Sequence, residues 1–304
     1  MKVALEHEEL YRSPSVWHPR DVVEAWTFKR LFDTEAIYIA GGTLLRTQWE
    51  SGAATMPGQL IDLSGIAELT GITADEDAIS IGALTTLGEL RQHPLLIEHY
   101  PILVSAVRSI AAPSIRNMAT LGGNILSRVG DSLPALMACR AEFEWCTGLS
   151  NYRESASDWV ERLHVQSPKP SNLLVKVHLP FMNRFRNAPV RFGAYHKVGR
   201  REAFTPSVVT AALSGSIRPD GSIAEAAIVA GGGQTIPQRM FLAEKALKGR
   251  RPDRELLADV HRHVMNEFDA KPDPFASDEY RRKTAANLIV AELWRTFVRE
   301  EGTA

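Results

Sequence analysis

Apolar positions in the first sixty residues recur at helix spacing and then in short unbroken runs. Ser15 opens an extended segment, after which Val22, Val23, Trp26 and Phe28 form one apolar face and Asp21 stands where a helix cap belongs. That pattern predicts a helix over Val22–Phe32. Ala36–Ala40 and Gln59–Leu63 are short apolar runs of strand length, and Leu44–Trp49 between them reads as a helical turn. The section is therefore a small α/β unit. From Gly71 the texture becomes β, with Gly71–Ala74 and Ala78–Ala83 flanking the polar turn Asp75-Glu76-Asp77. Thr86–Arg91, Tyr100–Ile110 and Asp131–Cys139 read as helices, Ala141–Thr147 and Leu173–Leu179 as strands. The composition of SPKPSN, Ser167–Asn172, makes it a loop.

FMNRFRNAP, Phe181–Pro189, is polar and poor in helix formers, and it reads as a linker. Strand-like runs follow at Arg191–Lys197, Ser207–Ile217 and Ser222–Val229, then helical patterns at Gln238–Leu247, Asp253–Phe268 and Asp278–Val298. Three strands followed by helices, rather than alternation, imply a separate α+β domain with a three-stranded sheet. The expected organisation is an N-terminal tail over 1–13, a first domain over 14–183 with subdomains of about 14–65 and 66–183, and a second domain over 188–304. A length of 304 residues suits two domains.

Composition narrows the chemistry. A net charge of −1 gives no electrostatic case for nucleic acid or an anionic membrane as partner. No run approaches the roughly 18 apolar residues of a membrane span. Glu6, Glu8 and Glu9 occupy the place where a signal peptide needs an apolar core, so a cytoplasmic location is expected. Cys139 and Cys146 are the only cysteines, too few for an iron–sulfur cluster usually held by about four. His261 and His263, at i,i+2, point apart on a helix, and no metal site is expected. If the chain handles electrons, an organic cofactor carries them.

Two glycine loops are the candidate for holding it. Ala40-Gly41-Gly42-Thr43 follows a strand and precedes a helical turn; Ala119-Thr120-Leu121-Gly122-Gly123-Asn124 repeats the design about 80 residues later. Successive backbone N–H groups in glycine turns make a concave anion site, and a helix start adds unpaired N–H groups and the positive end of its dipole. The hydroxyls of Thr43 and Thr120 and the Asn124 amide supply further donors. Neither loop is G-x-G-x-x-G or a P-loop, and a lone strand–Gly-Gly–helix is most often only a turn. Gly231-Gly232-Gly233 reads as such a turn, redirecting the chain.

SIRNMATLGGNI, Ser114–Ile125, resembles the signature of the FAD-binding subunits of molybdopterin dehydrogenases, the group that includes xanthine and carbon monoxide dehydrogenases. AGGTLL at Ala40–Leu45, IGALTTLGEL at Ile81–Leu90 and DSLPALMA at Asp131–Ala138 resemble further family segments in the same order. So do YHKVGRREAF at Tyr195–Phe204 and IVAGGGQTIPQRMFLAEKALKGR at Ile228–Arg250. The resemblance implies a two-part FAD-binding domain of the vanillyl-alcohol oxidase/MurB-like type ahead of the smaller α+β domain. It implies that the backbone at Ala40, Gly41, Gly42, Thr43, Leu44 and Leu45 holds the FAD diphosphate from one side. Ala119, Thr120, Gly123 and Asn124 would hold diphosphate and ribityl oxygens from the other. Asp131 resembles an acid that contacts the sugar portion, Leu174 a residue near the flavin or adenine, and Lys197 a lysine at the flavin's pyrimidine end. A cation there favours electron uptake.

Each role has a plainer alternative. Asp131 can instead cap the following helix, Leu174 can be core, and Lys197, Arg200 and Arg201 can be a solvated charge run. Arg116-Asn117 reads as ordering the second loop rather than touching FAD. The chain also departs from the family pattern. The spacing from Asn124 to Asp131 is shorter than usual, and no inserted cysteine cluster for a 4Fe–4S centre is present. Ile110 falls where animal xanthine dehydrogenases place an aromatic over the flavin. The resemblance implies an electron-transfer subunit. On that reading a molybdopterin-binding large subunit would hydroxylate a substrate, a purine by preference, and a 2Fe–2S small subunit would deliver electrons to FAD here, which would reduce NAD+ or another acceptor. A stand-alone FAD oxidase or reductase and a cofactor-free assembly module are the competing classes.

Overall fold

The computed structural model describes residues 13–165, 172–181, 190–201 and 205–301. Nearly all of the expected tail, linker and SPKPSN loop lie outside them. Strands β1 (Ser15–Trp17), β2 (Ala36–Ile39) and β3 (Gln59–Asp62) form a parallel sheet with β3 central. The helix Val22–Phe32 crosses between β1 and β2. Asp21 caps it, its Oδ1 accepting from the Glu24 N–H at 2.8 Å. Lys29 closes its other end, its Nζ donating to the carbonyls of Asp33 and Ala36. Ala25, Ala36 and Ile61 from this unit pack on Cys146, Leu173 and Val175, which come from a second sheet.

That second sheet is antiparallel, of β4 (Ile72–Ala74), β5 (Ala78–Gly82), β6 (Glu142–Cys146), β7 (Asn151–Ser155) and β8 (Leu173–Pro180), in the order β4-β5-β8-β6-β7. Alternation along its strands sends Ile79, Ile81, Phe143, Val177 and Leu179 into a core shared with the helices Pro101–Arg108 and Ser132–Ala138. The Phe143 ring meets those of Trp145 and Trp159 at centroid distances of 6.3 and 5.5 Å. Sequence periodicity does not separate β7 from the helix Ala156–Val165 that follows it directly, and both enter only with the structure.

Beside the patch covered by the first unit, polar residues line the other face of this sheet. His178 lies between Ser80 and Glu144, its Nδ1 2.8 Å from Ser80 Oγ and its Nε2 2.6 Å from Glu144 Oε2. Burial works against the Glu144 charge. Hydrogen bonds from Asn151 and His178, with the charges of His178 and Arg153, outweigh it and hold the carboxyl below its usual range.

The third sheet corrects the expectation of three strands. It has four, β9 (Val190–Gly199), β10 (Ser207–Ile217), β11 (Ile223–Gly232) and β12 (Thr235–Arg239), all antiparallel in the order β12-β11-β10-β9. The glycine triplet redirects the chain into β12, and the next helix starts at Phe241 rather than Gln238. Pro237 does not forbid the strand because β12 is an edge, where a missing N–H costs no ladder bond. Tyr195, Ala212 and Val229 face the core of the second sheet. Val209, Ala211, Leu213 and Ile228 face the helices Phe241–Leu247, Arg254–Glu267 and Asp278–Glu301. Burial on both faces explains why β10 is buried along its whole length. The layers thus run helices, four-stranded sheet, helices, five-stranded sheet. Among the described residues no helix is long and apolar enough to cross a membrane.

Two outcomes follow. Phe143→Ala, which empties the centre of the aromatic cluster, should cost about 3–5 kcal/mol in urea unfolding. Glu144 has a depressed folded-state pKa, so its contribution is present above the unfolded carboxylate range and lost as pH falls through the folded value. The stability gap between wild type and Glu144→Gln should therefore shrink on acidification through that window. A gap that widens there would contradict the assignment.

Candidate functional site

The first glycine loop leaves β2 through Ala40 and turns at Gly42, which sits at φ +64° as the cap of the helix Thr43–Glu50. The Arg46 N–H is bonded to the Gly42 carbonyl at 2.8 Å. The N–H groups of Thr43, Leu44 and Leu45 precede that first intrahelical bond and have no acceptor within the helix. Thr43 and Leu45 are half-buried and Leu44 is exposed.

Backbone bonds strap the second loop to the segment after β5. Leu87 N–H donates to Ala119 O at 2.8 Å, Leu121 N–H to Thr85 O at 3.0 Å and Gly122 N–H to Ala83 O at 2.8 Å. Thr120 is buried, and its hydroxyl oxygen accepts from the Gly123 N–H at 3.1 Å, starting the short helix Leu121–Leu126. The two loops meet. A Cβ placed on Gly41 would lie 1.8 Å from the Met118 carbonyl oxygen and 3.3 Å from the Ala119 nitrogen. Gly41 is glycine because another backbone touches it. Gly42 is glycine for its left-handed φ, with no atom nearer than 3.8 Å to a would-be Cβ.

Asn124 acts locally. Its Oδ1 accepts from the Ser132 N–H at 3.1 Å and the Ser132 hydroxyl at 2.6 Å, so it caps the helix Ser132–Ala138 from eight residues away. A Cβ on Gly130 would fall 2.1 Å from the Asn124 carbonyl oxygen, which is how the short Asn124–Asp131 connection closes. Asp131 makes no cap bond. Its Oδ2 instead pairs with Lys197 Nζ at 2.7 Å, both side chains nearly buried. Lys197 also donates to the Ser109 carbonyl at 2.8 Å, so this lysine of β9 is an anchored cation and not part of a solvated run. Arg200 lies over the Phe275 ring, 4.0 Å from its centroid. Ile110 is half-buried beside Ser109. Its carbonyl accepts from Arg116 at 2.7 Å, so the Arg116 guanidinium bonds the turn at residues 108–111 rather than the second loop it was expected to order. Leu174 is 2% exposed, across from Trp145, in the core cluster that also holds Leu121 and Ile125 of the second loop's helix.

Tyr195 joins the candidate site with the structure, and sequence reasoning missed it. It precedes Lys197 by two on β9 and so shares its face, the spacing that could have marked it. Its hydroxyl is buried beside Ser109 and Asp131 without a well-formed hydrogen bond. Burial, then the Asp131 charge, pushes its pKa well above the usual phenol value. The Thr210 hydroxyl, on the residue paired with Lys197 across β9 and β10, is buried and unpartnered as well. An anion cradle at the Gly41–Met118 contact, with orphaned hydroxyls and a held ammonium at the β9 sheet, fits an elongated cofactor carrying phosphate at one end.

Comparison with known proteins decides which. Residues 11–182 match the model of the FAD binding domain in molybdopterin dehydrogenase, and residues 193–295 that of the CO dehydrogenase flavoprotein C-terminal domain. The chain belongs to the FAD-binding family of the molybdopterin dehydrogenases. FAD is its cofactor. The carbon monoxide dehydrogenase medium chain of Afipia carboxidovorans is 31% identical over 186 residues, 60% of this chain and 62% of that protein. The match thus spans a little under two thirds of that relative. A putative xanthine dehydrogenase FAD-binding subunit of Escherichia coli is 28% identical over 243 residues, 77% of this chain and 80% of that protein. In structure, a carbon monoxide dehydrogenase of Hydrogenophaga pseudoflava superposes with a TM-score of 0.84 at 22% identity, covering 94% of this chain and 98% of that one. That likeness shows a shared mixed α/β fold.

The two adjacent glycines should respond differently. Gly41→Ala cannot be accommodated without parting the loops, and FAD affinity should fall at least about tenfold, or ~1.4 kcal/mol. Gly42→Ala meets only ordinary contacts with Ile39 and Ala40 and should cost only the left-handed strain of ~1–2 kcal/mol in stability. Flavin fluorescence titration and urea unfolding of both variants check this ranking.

Proposed function

We propose that this chain is the electron-transferring flavoprotein subunit of a molybdenum hydroxylase. In this reading electrons arrive from 2Fe–2S centres on a small partner subunit and leave to NAD+ or another acceptor. The substrate, a purine by preference, is hydroxylated on a molybdopterin-binding large subunit in the cytoplasm. The observation that carries the reading is the contact of Gly41 with Met118, which brings the second loop, with the Thr120 O–H and the Asn124 side-chain amide as donors, beside the helix start whose Thr43, Leu44 and Leu45 N–H groups have no intrahelical acceptor.

Ala40–Leu45 would hold the FAD diphosphate from one side and Ala119, Thr120, Gly123 and Asn124 from the other. Because Thr120 and Asn124 spend their oxygens on Gly123 and Ser132, their contribution to a phosphate is as donors, through the Thr120 O–H and the Asn124 Nδ2. Asp131 commits Oδ2 to Lys197 and keeps Oδ1 for a sugar hydroxyl. Lys197 keeps its ammonium where it favours electron uptake, its charge tempered by Asp131. Ile110 offers an aliphatic wall. FAD, when bound, supplies the acceptance and release of electrons. The vanillyl-alcohol oxidase/MurB-like description of the FAD-binding part belongs to the same proposal.

The purine preference rests on the resemblance of AGGTLLRTQWESG to bacterial purine dehydrogenase subunits and on the xanthine dehydrogenase name of one relative. Other relatives carry the names nicotinate dehydrogenase FAD-subunit and glyceraldehyde dehydrogenase medium chain, so a substrate screen must include N-heterocycles and aldehydes. Purification from the native host should yield a yellow complex containing molybdenum, iron and two further subunits, reducing NAD+ with a purine. A single yellow chain that turns over a substrate with oxygen unaided would establish the stand-alone oxidase instead.

A further inference from the structure

Arg116 is nearly buried, and its Nη1 donates to three carbonyls of one turn: Arg108 at 3.3 Å, Ile110 at 2.7 Å and Ala111. Three carbonyl oxygens gathered at one point repel one another unless a cation neutralises them. The turn is also strained, because Ala111 carries a Cβ yet sits at φ +45° in the left-handed region. The remaining carbonyl of the run, that of Ser109, faces a different cation, accepting from Lys197 Nζ at 2.8 Å. Arg116 and Lys197 thus hold the carbonyls of residues 108–111 between them. Arg116 is also continuous with the second glycine loop. The Ala119 N–H returns to the Ile115 carbonyl at 2.7 Å, and the next carbonyl but one after Arg116, that of Met118, is the one pressed against Gly41.

We infer that Arg116 is a positioning residue for the FAD site, fixing the Ser109–Ala111 turn and, through the Ser109 carbonyl, the place of the Lys197 ammonium. The inference rests on the FAD site proposed above and deepens it. Arg116 touches neither Lys197 nor the glycines through its guanidinium; its effect passes through the strained turn. A merely structural role, closing the end of the helix Pro101–Arg108, would alter stability without altering what Lys197 does.

Full-length chain loaded with FAD separates the two by redox titration and flavin-fluorescence binding. The variants are Arg116→Met, Lys197→Met and their combination. Arg116→Met should weaken the binding of reduced relative to oxidised FAD by about tenfold, a midpoint lower by ~30 mV for a two-electron couple. Lys197→Met should shift it in the same direction, and the combination should add nothing to Lys197→Met, since both act through one ammonium. Ala111→Gly, which removes the strain, should restore part of the midpoint lost in Arg116→Met. A folded Arg116→Met protein with the wild-type midpoint, or a shift fully additive to that of Lys197→Met, overturns the inference. If Arg116→Met does not fold, the Arg116→Met, Ala111→Gly protein decides. Recovery of fold with a lowered midpoint supports the role, and loss of fold in both marks Arg116 as a general structural residue. Wild-type chain that binds no FAD would instead sink the site itself.

Discussion

The contact between the Gly41 backbone and the Met118 carbonyl is the constraint from which the rest of the site follows. It closes a loop of about 80 residues, and it exists only because position 41 lacks a Cβ. Each side is delivered by rigid structure. β2, paired along its length with β3, brings Gly41 to a fixed place. The turn at Ile115–Ala119 brings Met118, and the Thr86–Thr120 bridge ties the following residues to the segment after β5. The small parallel sheet and the five-stranded sheet thereby behave as two jaws, joined as well by the packing of Ala25 and Ile61 against Leu173 and Val175.

The four-stranded sheet completes the arrangement by charge rather than by shape. Its β9 strand carries Lys197 to Asp131 and to the Ser109 carbonyl. A nearly buried ammonium with one carboxylate and one carbonyl has its charge offset but not all its donors used. Leaving either partner out would strand a buried charge, which is more costly than never having placed the pair there. The same sheet is pinned by the Ser214 hydroxyl donating to the Ala138 carbonyl at 2.7 Å and by the Arg140–Glu225 pair at 2.5 Å. Lys197 is therefore held by the orientation of an entire layer.

Local chemistry was legible in the sequence, and long-range chemistry was not. Asp21 and the apolar face behind it mark the helix Val22–Phe32 without any tertiary help. The two glycine loops stand out for the same reason. Their meeting does not, because the partner of Gly41 lies far along the chain, and glycine's freedom to approach a phosphate explains the residue equally well on paper. Asn124 and Asp131 exchange expectations. The amide caps the helix that the carboxylate adjoins, and the carboxylate is drawn off by a lysine 66 residues away, a pairing that no spacing rule reveals. The fourth strand was hidden by Pro237, whose cost disappears only once β12 is known to be an edge. Tyr195 needed only the strand's period of two, applied backwards from Lys197.

Amide hydrogen exchange of the full-length chain with and without FAD tests the two-sided cradle most directly, since it reads the N–H groups that the account assigns. Protection should rise on FAD binding at the Thr43–Leu45 backbone amides and at the Asn124 side-chain amide together. FAD that binds while leaving either loop's exchange unchanged would contradict the account.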